Sequence, residues 1–201
     1  DLVRSKNISP PPIAERPLAI YRQALGQNHP TTVSGLLVLA AVRKDRGEYD
    51  EADRLYSEAL RIRVGTFGPD SVNAGQSYGD MMMLAIARRQ FEEAEAWSAK
   101  RLTIFEKWFG SSDPRIIEAL ADLQHLKAFN GDLDAVDSLG RRILDIAERA
   151  YGPESLVAAV AAGNVAYAYR LRGRFGNIES LYERPLRIYR KLLGPRHPWV
   201  A

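Results

Sequence analysis

Apolar residues recur along this chain in two superposed rhythms. The short one is helical. Tyr49, Ala52, Leu55, Tyr56, Ala59, Leu60 and Ile62 follow i, i+3, i+4, i+7 spacing, one face of an α-helix over about 49–66. The long rhythm is a period of 42 residues. Leu18, Leu60, Leu102, Leu144 and Leu186 are spaced by it, as are Ile20, Ile62, Ile104, Ile146 and Ile188. A glycine column, Gly26, Gly68, Gly110, Gly152 and Gly194, keeps the same register without insertion or deletion. The outermost copies are nearly the same text: PLAIYRQALGQNHP from Pro17 and PLRIYRKLLGPRHP from Pro185 share nine of fourteen residues. Fixed self-similarity of this length is the mark of a repeat architecture.

Each unit reads as two helices, A then B. In the first full unit, A runs from Thr31 to Arg46, Gly47 breaks it, and B runs from Tyr49 to Thr66. Gly131 and Gly173 stand at the equivalent breaks, where a left-handed residue closes a helix, but Arg89 holds that place in the second unit and must adopt a costlier turn or change its geometry. Arg43, Lys44, Arg46, Arg88, Arg89, Lys127, Arg170 and Arg172 gather where A helices end. Asp50, Glu51, Glu92, Glu93, Asp132 and Asp134 gather where B helices begin. Both placements complement the helix dipole at about 0.3–1 kcal/mol each, so the basic cluster reads as helix termination rather than as a nucleic-acid stripe. Ser71, Asp113 and Ser155 occupy the N-cap position of the following A helix. His29 and His197 fill the same column, with Pro30 and Pro198 placed as first helical residues.

The expected organisation is a Pro-rich lead over 1–12, an orphan helix B over 13–28, repeats over 29–70, 71–112, 113–154 and 155–196, and the start of a cut repeat over 197–201: nine helices in a single array. Pro17 and Pro185 fall inside helix B at the same register. An interior proline costs about 3 kcal/mol. It reads either as a kink tolerated on the convex side or as one that re-aims the next loop.

Composition narrows the picture further. The 201 residues are 46% hydrophobic and 26% charged, with a net charge of +3. That is ordinary for a globular chain and too apolar for disorder. The absence of cysteine excludes disulfides and mildly favours a reducing, cytoplasmic location. The longest uncharged apolar run, Leu156–Tyr169, is too short to span a bilayer. The chain opens without methionine and stops partway through a repeat, so it is expected to belong to something longer.

Gly47, Tyr49 and Ala52, preceded by Leu39 and Ala40, resemble the tetratricopeptide signature. The longer period, RLYSEALRI at Arg54–Ile62, LYERPLRI at Leu181–Ile188 and the loops Gly26–Pro30 and Gly194–Pro198 resemble the kinesin-light-chain class of these repeats. The resemblance implies an all-α, right-handed superhelical solenoid of helix–turn–helix repeats whose A helices line a concave groove. It also implies a non-catalytic scaffold that holds a protein or peptide in that groove. A sensor array gating a domain elsewhere is the alternative. The middle units depart from the pattern. The small column of helix A reads Ala40, Met82, Gln124 and Ala166, and the alanine column of helix B reads Ala52, Ala94, Val136 and Ile178. Larger residues at close-packing points are expected to push helices apart, and unit three, with Gln124, Leu133, Val136 and Gly140, is expected to be the softest link.

Register names the groove columns. They are Ser34, Gln76, Glu118, Val160; Leu37, Gly79, Ala121, Gly163; Val38, Asp80, Asp122, Asn164; Ala41, Met83, His125, Tyr167; Lys44, Ile86, Ala128, Arg170; and Asp45, Ala87, Phe129, Leu171. The candidate peptide-binding residues are Gln76, Asp80, Met83, Glu118, Asp122, His125, Phe129, Asn164, Tyr167 and Arg170. In the resembling family, asparagines of the second and third columns grip a peptide backbone; Asn164 keeps that residue, whereas Asp80 and Asp122 replace it. A carboxylate only accepts hydrogen bonds, so the groove centre is expected to favour peptide N–H groups or basic side chains over carboxylates. Met83, Ile86, Phe129, Tyr167 and Leu171 would add an apolar strip, some of it packed between repeats.

Catalysis finds little footing. His125 lies one turn from Asp122, a spacing as suited to an ordinary groove contact as to an acid–base pair. No GxxxxGK[ST], HExxH or GxSxG motif and no metal-ligand spacing occurs. Neither cofactor nor metal is expected. The expected partner is a protein or peptide with apolar and basic residues; no membrane and no nucleic acid is expected, since an RNA-reading repeat would show a two-residue base code across units. The uncapped ends, with Trp199 at one of them, are a route to self-association.

Overall fold

A single backbone feature accounts for the glycine column. Gly26, Gly68, Gly110, Gly152 and Gly194 all have φ between 86° and 91°. Gly26, Gly68 and Gly152 combine this with extended ψ near 160°. No side-chain-bearing residue adopts that conformation cheaply. Each glycine therefore stops a B helix at the same register, and the loop to the next A helix keeps its length.

The structure, a computed structural model, describes residues 15–173 and 178–200. Among them lie nine α-helices and no strand. They are α1 (Arg16–Leu25), α2 (Thr32–Asp45), α3 (Tyr49–Phe67), α4 (Val72–Ala87), α5 (Phe91–Phe109), α6 (Ile117–Phe129), α7 (Leu133–Tyr151), α8 (Leu156–Leu171) and α9 (Ile178–Leu193). A short 3-10 turn, Pro114–Ile116, leads into α6. This is an all-α helix-pair repeat fold. The Pro-rich lead lies outside the described residues.

The helices fall into two compact units, divided between Gln90 and Phe91. In the first unit α2 packs against both α1 and α3, and α4 against α3. In the second, α6 packs against α5 and α7, and α8 against α7 and α9. Every A helix with a B helix on either side in its unit thus buries two faces. Leu36, Ala40, Ala52 and Ala59 form the core of the first unit; Ile116, Leu120, Leu126, Ile146 and Ile188 belong to that of the second. Each such leucine or isoleucine contributes about 1.5–3 kcal/mol of burial. α1 lies close against α2 at Gly35, where a Cβ would stand 2.9 Å from Cα of Leu18.

The expected caps form, with one shared principle. Ser71 Oγ accepts from the backbone N–H of Ala74, Asp113 from Arg115 and Ser155 from Ala158. His29 Nδ1 accepts from the N–H of Thr31, and His197 Nδ1 from Trp199. All five residues of that column satisfy an otherwise orphan donor. Asp113 is also bonded by its neighbour's guanidinium, and the Arg115 hydrogen bonds hold its carboxyl down at about 2. α2 starts at Thr32 rather than at Pro30, which lies in the preceding turn.

Where A helices end, the chain forms one hydrogen-bonded closure three times. Gly47, Arg89 and Gly131 donate to Lys44, Ile86 and Ala128, and the next residue donates to the carbonyl one position earlier, Arg43, Ala85 and Lys127. This is the Schellman pattern, and it needs a left-handed residue. Arg89 takes it at φ 62°, against 77° for Gly47 and 76° for Gly131. Of the two options open to Arg89, the chain adopts the costlier turn.

The prolines differ from each other. Pro17 lies in the first turn of α1, where no helical hydrogen bond is lost, so it is not the interior proline expected. Pro185 does lie inside α9, and it is fully buried rather than on an outward face. Four of the cations at the A–B turns are bound by acids in or just before B helices. Arg43 pairs with Glu48 and Glu15, Arg88 with Asp50 and Asp53, Lys127 with Glu95, and Arg172 with Asp134. They act in stacking as well as in helix termination.

Candidate functional site

The repeat register decides which side chains reach the open face. In each A helix the columns used for packing are buried, as at Gly35, Leu36, Leu39 and Ala40 of α2. None of the residues in the six groove columns is buried in any of the four A helices. Met83 is 46% exposed and Tyr167 37%, large values for apolar side chains on a packed helix. Ile86 is half-buried, and Leu171 is exposed.

In the first unit, α4 presents Gln76, Asp80 and Met83. Asp80 is engaged from below by Arg63 of α3, whose Nη1 stands 3.4 Å from the carboxylate and donates to Ser77 Oγ at 2.9 Å. Burial pushes the Arg63 guanidinium down from its ordinary value, and Asp80 opposes that shift. Tyr56 lies in the same electrostatic neighbourhood. Burial, aided by Asp80 and Asp45, pushes its phenol up to about 12.

In the second unit, α6 presents Glu118, Asp122, His125 and Phe129. Arg101 of α5 bonds Asp122 and stands 3.3 Å from Glu118. Arg101 is only 8% exposed, its guanidinium lies over the Phe105 ring, and its buried Nε finds no acceptor. Burial pushes the Asp122 carboxyl up, against the pull of Arg101. A carboxylate this desolvated keeps its charge only through such a partner. His125 is exposed and adds a smaller attraction. Phe129 stacks on Phe91 with ring centroids 5.0 Å apart.

The candidates on α8 have different company. Arg170 lies over the Tyr167 ring at 4.9 Å. Asn164, with Val160 and Gly163, lines an open apolar hollow of about 370 Å³ together with Tyr182, Pro185, Leu186, Tyr189 and Trp199. Trp199 meets Tyr189 edge-on at 5.6 Å and His197 at 5.5 Å. The predicted residues have different immediate partners. They divide into an arginine-paired acid on α4, another on α6, and an asparagine beside an apolar hollow on α8.

Arg63, Ser77 and Arg101 are the participants that column reading passed over, because Arg63 and Arg101 lie on B helices and in different columns. The signal was present in the chain. The B-helix positions that precede each groove column are Pro17 and Tyr21, Ala59 and Arg63, Arg101 and Phe105, Ile143 and Ala147. An arginine occurs in the two pairs that precede Asp80 and Asp122, and in neither pair that precedes Val38 or Asn164. Among the described residues no group of three His, Cys, Asp or Glu could hold a metal, and no helix is long and apolar enough to cross a membrane.

Known proteins place this geometry. Two models described as tetratricopeptide repeat match residues 31–107 and 158–198, together more than half of the chain. No curated protein matches it. Among solved structures, a Podosopora anserina protein described as a putative kinesin light chain with nearly identical TPR-like repeats is 21% identical, with TM-score 0.74, over 89% of this chain and 84% of its own. A point variant of that protein gives 20% identity and TM-score 0.75, over 90% of this chain and 85% of its own. BtubC (BKLC) from P. vanneervenii is 22% identical, with TM-score 0.73, over 89% of this chain and 71% of its own. The fold is that of these kinesin-light-chain-like repeats, and the chain belongs to the tetratricopeptide-repeat family.

Proposed function

We propose that this chain is a non-catalytic scaffold which binds a protein or peptide segment on the open faces of its A helices. The observation that carries the reading is that no residue of the six columns is buried, while positions between them such as Gly35, Leu36, Leu39 and Ala40 are. Exposed Met83 in the first unit, and Val160, Tyr167 and Leu171 in the second, offer apolar contact. Asp80 and Asp122 offer acceptors to ligand N–H groups or basic side chains, and exposed Glu118 adds a negative charge. Gln76, His125, Phe129, Asn164 and Arg170 complete the proposed contact set. Tetratricopeptide repeats generally mediate protein–protein interaction, and this chain's membership supports that class.

The test is selection of a phage-displayed random 12-residue peptide library on the immobilised chain, with affinities of enriched peptides measured in solution. Binding should weaken by about tenfold or more in the D80A/D122A double variant, since hydrogen bonds to charged groups are worth about 1.5–3 kcal/mol each. Unchanged affinity would overturn the assignment of the site.

A further inference from the structure

The open face of the second unit carries opposite charges on its two A helices. On α6, Glu118 and Asp122 share one guanidinium, that of Arg101, which bonds Asp122 and stands 3.3 Å from Glu118. Two carboxylates against one buried arginine leave a negative charge over. Glu118 holds it outward, with its side chain 79% exposed against 25% for Asp122. Lys127 of the same helix does not offset it, because Glu95 and Asp132 bind that ammonium at 2.6 and 3.4 Å. On α8 the sign is reversed. That helix has no acidic residue, and exposed Arg170 lies over the Tyr167 ring at 4.9 Å. An aromatic face holds a guanidinium without cancelling its charge. Among the described residues no carboxylate pairs with Arg170, and the nearby Arg172 is taken by Asp134.

We propose that this face selects a peptide by the order of its charges, with a lysine or arginine of the ligand at Glu118 on α6 and an aspartate or glutamate at Arg170 on α8. The inference rests on the reading of the A-helix faces as the binding site, and it names the ligand class and its direction. Glu118 shares Arg101 with a closer acid and turns its outer lone pairs to solvent, where a ligand cation can take them. The Arg170 guanidinium is a planar fork that a ligand carboxylate can take with two parallel hydrogen bonds while the ring of Tyr167 stays against its face. The reversed peptide is turned away twice. Its carboxylate would meet two acids at α6, and its cation would meet Arg170 at α8. Both A helices pack on α7, which fixes their spacing and hence the separation of the two charges in the ligand.

The same peptide library tests this, selected at about pH 8 so that histidine charge stays out of the comparison. The baits are the wild-type chain, E118Q, R170Q and the exchanged E118K/R170E, each first shown to be folded by circular dichroism and a cooperative melt. Wild type should enrich peptides that carry a basic and an acidic residue in one order at a constant separation. Against such a peptide E118Q and R170Q should each lose about three- to fivefold in affinity, the size expected of an exposed charge pair. The loss in E118Q should vanish when the peptide's basic residue is replaced by glutamine, and the loss in R170Q when its acidic residue is. E118K/R170E should enrich the opposite order. If the exchanged chain does not fold, the two single variants decide alone. Wild-type peptides without the paired charges, losses that do not follow the matching peptide residue, or an unreversed order in the folded exchanged chain each overturn the proposal while leaving the binding face intact. Failure of the wild type to enrich any peptide overturns both.

Discussion

Gln124 of α6 fills the space that Gly140 of α7 leaves empty. A Cβ built on Gly140 would lie 2.6 Å from Gln124 Nε2 and 3.4 Å from Val165 Cγ2. The glutamine is 1% exposed and donates from Nε2 to the Val136 carbonyl at 2.9 Å, while its Oε1 is buried without a partner. The same two columns hold Ala40 with Tyr56, Met82 with Ser98, and Ala166 with Tyr182. Where helix A is small, helix B is large, and the reverse. The expected loosening of the third repeat by Gln124 is met by the loss of a side chain opposite it.

This pairing makes Gly140→Ala destabilising by about 1–3 kcal/mol in chemical denaturation, although alanine is the better helix former by about 1 kcal/mol. Gln124→Ala in the same chain should remove most of that penalty. The two effects would then fail to add, as expected of residues in contact.

Gly35 and Gly65 form a matched contrast. A Cβ on Gly35 meets backbone of Leu18, whereas one on Gly65 of α3 meets nothing within 4 Å. Gly35→Ala should cost about 1–3 kcal/mol by forcing α1 away from α2. Gly65→Ala should stabilise by about 0.5–1 kcal/mol, and thermal melts of the two variants should move in opposite directions.

Arg89 holds a left-handed turn that glycine holds at positions 47 and 131. The conformation costs a side-chain-bearing residue about 1–2 kcal/mol, partly offset by the freer unfolded state of glycine. Arg89→Gly should raise the melting temperature, with a gain of about 0.5–1 kcal/mol, and Gly131→Arg should lower it.

Tyr56 ties stability to alkaline pH. Its folded pKa of about 12 lies above the ordinary 10, chiefly through burial and then through Asp80 and Asp45. The neutral phenol is thus favoured by the fold. Its contribution is complete below pH 10 and is lost as pH rises from 10 through 12. Denaturation midpoints should fall over that window, and Tyr56→Phe should remove this share of the fall.

The repeat register was legible in the sequence because it is local and periodic. Helix spacing, the glycine stops and the capping column each act within a few residues, and together they placed the helices close to where they lie. The exposed face of each A helix followed from the same register. What no single column showed is which side chains compensate one another. Arg101 reaches Asp122 across 21 residues, and Gln124 meets Gly140 across 16. Those distances are set by how an A helix lies on its B helices, and the choice among alternative partners is made by volume and desolvation in the packed state. Periodicity along the chain set the repeat, the helices and the outward columns. Tertiary packing settled that Asp80 and Asp122 are paired with arginines and that Gln124 lies against Gly140, because both depend on contacts between helices rather than on periodicity along one.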